Sequence, residues 1–326
     1  MELANNISKL VGRFFTGLFF IFILNSFFLA KEVSASDSIP VNFKFSKTFL
    51  LDIAKNKNRL ISVGERGLVF SSSNEGESWK CIQIIDKPTL TSIVFLNNKT
   101  AIAVGHRGSV YRTENSGKDF IQVNLPVLKN DDSLLRIRVV DENHIVIVGA
   151  WGLFLESTDN GKTWERQQII SSDFDWHLYD VVNSPFGLIA VGEAGTVILR
   201  KNKEKNWEKI DSKYKGSYFG IVKSKENSFF IYGMRGNIFE FNKSNNNHET
   251  NKFTWKTFKT NSSTTWMSSL ALKNDSILFF GDGGIVGEKK TLFSLKTVPL
   301  KIVNAGVELN NGAVFLVGLN GGFSLN

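Results

Sequence analysis

The sequence predicts an all-β fold: a single seven-bladed β-propeller with about four strands per blade, preceded by an export signal. Three observations predict it: a glycine-framed phrase that recurs seven times, a Ser-x-Asp-x-Gly-x-Thr-Trp loop, and a composition with 28 Phe and only 5 Pro. Aromatic residues suit a half-buried pleated surface, and proline interrupts strand ladders.

Composition sets the bounds first. At 326 residues, with 42% hydrophobic and 21% charged residues, the chain can build one large core. The single cysteine, Cys81, cannot form an intramolecular disulfide and reads as a small buried side chain. The four histidines, His106, His144, His177 and His248, are too scattered to supply a metal site, so neither metal nor cofactor is expected. The net charge is +8, which favours acidic or anionic partners.

Residues 1–35 form the first unit. Lys9 and Arg13 precede the apolar run FFTGLFFIFILNSFFLA at 14–30, and Val33-Ser34-Ala35 offers a small-x-small cleavage site. An uncleaved anchor is the alternative, since 17 apolar residues lie at the short limit for crossing a bilayer. Either reading delivers the rest of the chain across a membrane. No cysteine stands directly after the run, the single Cys81 lying some fifty residues on, so a lipid anchor is not expected.

The second unit, residues 36–326, is organised by its repeat. The phrase reads SVGERGLVF at 62–70, AVGHRGSVY at 103–111, IVGAWGLFL at 147–155 and AVGEAGTVI at 190–198, then IYGMRGNIF at 231–239, FFGDGGIVG at 279–287 and LVGLNGGFS at 316–324. Its leading glycines recur every 37 to 48 residues. Strand, Gly-x-x-Gly turn and strand make a hairpin. Another apolar run lies upstream of each hairpin, and Trp79, Phe120, Trp164 and Trp207 each fall fifteen residues after a leading glycine. About four strands in some 42 residues is the content of one blade.

Ser157-Thr158-Asp159-Asn160-Gly161-Lys162-Thr163-Trp164 is a complete Asp-box, with weaker copies at 72–79 and 113–120. The fifth unit inserts an Asn-rich loop at 242–251. The box reads as turn chemistry, its Asp bonding its own backbone and its Trp packing between strands. The last unit stops after its third strand, and residues 39–45 (IPVNFKF) alternate with period two. They are therefore expected to supply the outer strand of the last blade and close the ring.

Turns between second and third strands share one propeller face with the starts of the first strands. The turns contribute Arg66, His106, Arg107, Trp151, Glu193, Met234, Arg235 and Asp282. The first-strand starts add Arg136, Arg138, Trp176, His177, Tyr179, Tyr218, Trp266 and Met267. One reading is a set of solvated turns; the other is a partner-binding face. In the second reading Arg66, Arg107, Arg235, Arg136 and Arg138 grip acidic groups, and Trp151, Trp176, His177 and Trp266 serve as anchors. Catalysis is not expected. Glycosidases need two carboxylates at a fixed separation, and Glu193 and Asp282 lie two units apart. Sialidase-type sites also need an Arg-Ile-Pro that is absent. The lysines are dispersed through loops, so no nucleic-acid partner is expected.

The V-G-x-R-G turns at 63–67 and 104–108, the related turn at 232–236 and the Asp-box together resemble the photosystem II stability and assembly factor family over nearly the whole chain after Pro40. The resemblance implies a seven-bladed propeller on the lumenal side of the membrane that assists early photosystem II assembly through an arginine-rich face. Arg66, Arg107 and Arg235 match that face, whereas the other four turns lack arginine and no lipobox cysteine is present. The expected function is a non-catalytic assembly or scaffold factor gripping acidic segments of membrane-complex subunits. The alternative is a carbohydrate-binding or glycoside-hydrolase-like envelope propeller. Membrane association would come through partners or an uncleaved anchor.

Overall fold

The computed structural model describes residues 37–326 except 203, 213, 225–227, 244–252, 259, 290–292 and 326. The export signal at 1–35 and most of the Asn-rich loop lie outside the described residues. Among the described residues, no helix is long and apolar enough to cross a membrane.

Seven antiparallel sheets form, one per repeat. Their innermost strands are Leu50–Asn56, Leu90–Phe95, Leu134–Val139, Leu178–Ser184, Tyr218–Lys223, Trp266–Ala271 and Ile302–Glu308. Each packs beside the next, and the last packs beside the first, so the sheets close a ring. Second strands such as Ala101–Gly105 and Ile145–Gly149 are buried at every residue, because both faces meet a neighbouring blade. The outermost strands Ile121–Gln122 and Glu165–Arg166 are short and exposed, which blunts the sheet edges.

One apolar cluster fills each of the seven interfaces between blades. The seam between the last and first blades is packed like the rest, with Leu50, Ile53 and Phe70 against Val307, Phe315 and Val317. Each such side chain contributes about 1.5–3 kcal/mol by leaving water.

The hairpin turn explains the glycine phrase. A Cβ on Gly64 would lie 2.1 Å from the Phe49 carbonyl, so the leading glycine is there for close approach. Arg66 (φ 60°) and Gly67 (φ 65°) then occupy the two left-handed positions of a type I′ turn, closed by the Leu68 amide on the Glu65 carbonyl. The second glycine also clasps the next blade: the amides of Gly67, Gly108, Gly152, Gly195 and Gly236 donate to Pro88, Asp132, Trp176, Gly216 and Thr264. Gly321 of the seventh blade makes the same bond to Thr48, just before the first blade.

Closure therefore differs from the sequence expectation. Residues 39–45 do not complete the last blade, whose sheet has three strands among the described residues. Ser38–Pro40 instead pairs antiparallel with Lys80–Ile84 as a fifth strand outside the first blade. Asp37 reaches further, its amide bonding the Phe120 carbonyl at 3.1 Å and its carboxylate accepting the Gln122 amide at 2.7 Å. Phe45 then stacks on Trp79 at 4.7 Å and meets Phe70 edge-on at 4.9 Å, beside Phe315 of the last blade. A side-chain wedge and the Gly321 clasp replace the predicted strand.

Candidate protein-binding face

The second-to-third-strand turns and the starts of the innermost strands meet at one end of the ring. Register fixes this: Leu50 pairs Gly64, Leu90 pairs Gly105, and the pattern repeats through Trp266 and Gly281. The Asp-box loops follow the third strands and lie at the opposite end.

At the turn end, the first left-handed slot holds Arg66, Arg107, Trp151, Ala194, Arg235, Gly283 and Asn320 in blade order. Type I′ turns favour Asn, Asp and Gly there, and a bulky side chain costs about 1–2 kcal/mol. Only the sixth and seventh blades use a favoured residue. Arg66, Arg107 and Arg235 are exposed. Among the described residues the arginines in ion pairs are Arg112, Arg136, Arg138, Arg166 and Arg200, so the three turn guanidiniums are unpaired.

Between them lies an aromatic cluster. Trp151 is 68% exposed and Trp176 43% exposed. The Trp151 ring meets His177 edge-on at 4.7 Å, and the Trp151 amide donates to His177 Nδ1 at 3.2 Å. The series continues through Tyr179, 6.2 Å from His177, to Phe219, 5.1 Å from Tyr179. It leads from the rim to the mouth of the central channel.

Each innermost strand carries a register shift, a β-bulge whose extra residue is Leu51, Thr91, Leu135, Tyr179, Phe219, Met267 or Asn304. A bulge re-aims one side chain. All seven face a recess of about 200 Å³ at the channel mouth, joined by His106 and Arg136. Of this ring sequence reasoning named only Tyr179 and Met267, although an apolar–variable–small triplet (Leu-Leu-Asp, Leu-Thr-Ser, Leu-Tyr-Asp) marks six of the seven strand starts, the third reading Leu-Leu-Arg.

Deeper in the channel lie two acidic residues that sequence reading did not single out. Asp180 is fully buried and accepts both Arg138 Nε at 2.8 Å and Nη2 at 2.9 Å. Asp52 accepts the Ile53 amide, the Ser92 hydroxyl and the Ile93 amide at 2.7–3.1 Å. Arg136 lies 3.7 Å from Asp52.

The expected binding residues therefore separate. Arg66, Arg107, Arg235, Trp151, Trp176 and His177 share the turn face. Arg138 is inside the channel with its guanidinium engaged by Asp180, because its strand faces the axis and not the rim. Trp266 and Tyr218 are fully buried, because the residue just before the bulge of each innermost strand points between blades; an anchor at Trp266 is thus excluded. Glu193 accepts the His177 amide and Asp282 the Thr265 amide, so both carboxylates cap backbone.

At the other end, the Asp-box is self-contained. Asp159 accepts Ser157 Oγ at 2.8 Å, the Lys162 and Thr163 amides at 3.0 and 2.9 Å, and Thr163 Oγ1 at 2.7 Å. The Thr163 amide and hydroxyl lead in holding its carboxyl down at about 2. In the boxes at 113–120 and 72–79 an Asn takes the place of Asp: Asn115 Oδ1 accepts Thr113 Oγ1 and the Lys118 and Asp119 amides, and Asn74 Oδ1 accepts Ser72 Oγ and the Ser78 amide. Cys81 is half-buried, and burial pushes its thiol up to about 12, so it stays protonated near neutrality.

Residues 116–253, less than half of the chain, match the model of the family described as photosynthesis system II assembly factor YCF48. A 42-residue stretch, 13% of this chain, is 52% identical to the photosystem II assembly lipoprotein Ycf48 of Prochlorococcus marinus and spans 12% of that relative's length. Among solved structures, YCF48 bound to a D1 peptide superposes over 90% of this chain and 96% of its own, with a TM-score of 0.68 and 14% identity. YCF48 from Cyanidioschyzon merolae covers 89% and 98% of the two chains, with a TM-score of 0.65 and 14% identity. A streptogramin B lyase reaches a TM-score of 0.68 at 12% identity over 88% and 96%, so the fold itself is shared with an enzyme. Repeat, family match and fold agree: the chain is a seven-bladed propeller similar to the photosystem II assembly factors.

Proposed function

We propose that this chain is an exported, non-catalytic assembly factor that holds a subunit of a membrane-protein complex during assembly, with photosystem II as the complex where the host makes it. One observation carries the reading: three exposed, unpaired arginines occupy backbone positions that disfavour them, on one face beside Trp151, His177 and Trp176. A guanidinium fork matches carboxylates, and exposed tryptophans supply anchors, so the fitting partner is an acidic segment with apolar side chains. A similar propeller has been solved with a D1 peptide, which supports a subunit peptide as the partner class. The export signal at 1–35 would deliver the ring to the periplasm or the thylakoid lumen. Glu193 and Asp282 are engaged as backbone caps, which supports a role without chemistry.

The test uses the parent chain and the R66G/R107G/R235G variant, each immobilised and exposed to detergent-solubilised membranes of the source organism. A membrane-complex subunit should be retained by the parent and retained at least about tenfold less by the variant, the loss expected when hot-spot contacts are removed. Equal retention by both chains would overturn the reading. So would retention of glycans in place of a subunit.

A further inference from the structure

The recess at the channel mouth has a floor chemically unlike its wall. Leu51, Leu135, Tyr179, Phe219 and Met267 make most of the wall apolar; Thr91 and Asn304 also line it but donate to backbone carbonyls, and the cationic member of the lining is Arg136, with His106 at the rim. The Arg136 side chain is only 11% exposed, and its Nε is buried without an acceptor. Its neighbour Asp52 is 3.7 Å away, outside hydrogen-bond reach, with both oxygens already held by Ser92 Oγ and the Ile53 and Ile93 amides. Arg138 shows what a satisfied guanidinium looks like in this channel: two bonds below 3 Å to one carboxylate. A buried donor without an acceptor is unusual in a folded protein and calls for an explanation, most simply a ligand. The volume, about 200 Å³, equals the liquid share of roughly six or seven waters.

We propose that this recess binds a carboxylate carried on a short apolar stem, with Arg136 holding the carboxylate and Leu51, Tyr179, Phe219 and Met267 enclosing the stem. A carboxylate in the recess would give the Arg136 guanidinium the acceptor that Asp52, at 3.7 Å, does not supply. The stem removes water from the aromatic wall, which strengthens the ion contact beneath it. The site does not use the turn arginines, so it stands apart from the rim contacts.

The test is calorimetric titration with hexanoate, hexanamide and hexanol, followed by a tripeptide ending in leucine as free acid and as amide. Hexanoate should bind in the millimolar range, and the two neutral analogues at least about tenfold more weakly. Arg136→Gln should lose the preference for hexanoate. Met267→Trp should block the acid while leaving both channel arginines in place, which covers the case in which Arg136→Gln does not fold. R66G/R107G/R235G should bind hexanoate as the parent does, even if its capture of a membrane subunit is lost. Tighter binding of the free-acid tripeptide than of hexanoate would assign the site to a chain terminus, and the reverse would assign it to a free acid. Equal binding of acid and amide, unchanged binding by Arg136→Gln, or no acid bound at about 50 mM would each overturn the proposal.

Discussion

The molecule holds two populations of arginine that look alike in sequence. On the rim, Arg66, Arg107 and Arg235 are exposed and unpaired, on backbone that disfavours them. On the channel wall, Arg138 sits on regular strand and is matched by Asp180. Between blades three and four, Arg200 is matched by Glu156, which also accepts His144. The difference separates two kinds of selection. A paired internal guanidinium is explained by the fold, since removing either partner strands a buried charge. The rim arginines are not explained by the fold, because Gly or Asn would suit their turns better.

The sharpest way to break this comparison is to unpair the channel. Asp180→Ala should destabilise the ring by about 3–5 kcal/mol, because it strips Arg138 and the buried Val181 and Ile221 amides of their shared acceptor. Chemical denaturation would show the change, and a shift below about 1 kcal/mol would mean the channel pair is no more structural than the rim.

The Arg200–Glu156 pair makes the same point through pH. Burial alone would raise the Glu156 carboxyl, but its bonds to Arg200 and His144 win and hold it at about 2, against a model-peptide value of 4.5. A depressed folded-state value stabilises the fold above the unfolded value and loses that contribution as pH falls. Glu156 should therefore contribute up to roughly 3 kcal/mol at neutral pH, fading between about 4.5 and 2. Asp159 titrates over the same range, so the readout is the difference between the parent and Glu156→Gln. Parallel stability curves for the two chains from pH 6 to 2 would contradict the assignment.

At the rim the expected effects are smaller, and removing an arginine has the opposite sign. Arg66→Gly, Arg107→Gly and Arg235→Gly should each leave stability unchanged or raise it by up to about 1 kcal/mol, as relief of left-handed strain is offset by glycine entropy. Asn320→Arg, which puts arginine into the seventh slot, should cost about 1 kcal/mol. Thermal melts of the four variants decide this, and destabilisation by the glycine substitutions would show that the rim arginines serve the fold after all.

Most of the architecture was legible because its causes are local. The close approach at Gly64 and the positive φ at Gly67 impose residue identities that recur with each blade. The N-terminal strand was legible as a strand but not in its pairing. Period two reports an alternating environment, and the edges of the first and last blades offer much the same one. Trp266 was misplaced for a different reason. Aligned by repeat it stands with Leu50, Leu90, Leu134, Leu178, Tyr218 and Val303, all fully buried, whereas Trp176 lies two residues before its strand and stays outside. The channel pairs join residues some 40 to 80 positions apart in different blades, such as Arg138 with Asp180 and Arg136 with Asp52, and spacing along the chain carries no trace of them.

The clasp from Gly321 to Thr48 has a consequence for biosynthesis. It joins positions at opposite ends of the ring, so a chain emerging from its amino end can build six blades and still hold two apolar faces open to water. One belongs to the first blade and one to the sixth, and both are strand-rich surfaces prone to association. The entropic penalty of joining distant ends grows only slowly with the length between them, so the last blade can close the ring even though it arrives late. Ring closure thus acts as a completion signal: a chain cut short before Gly318 would keep both faces exposed to proteases and chaperones.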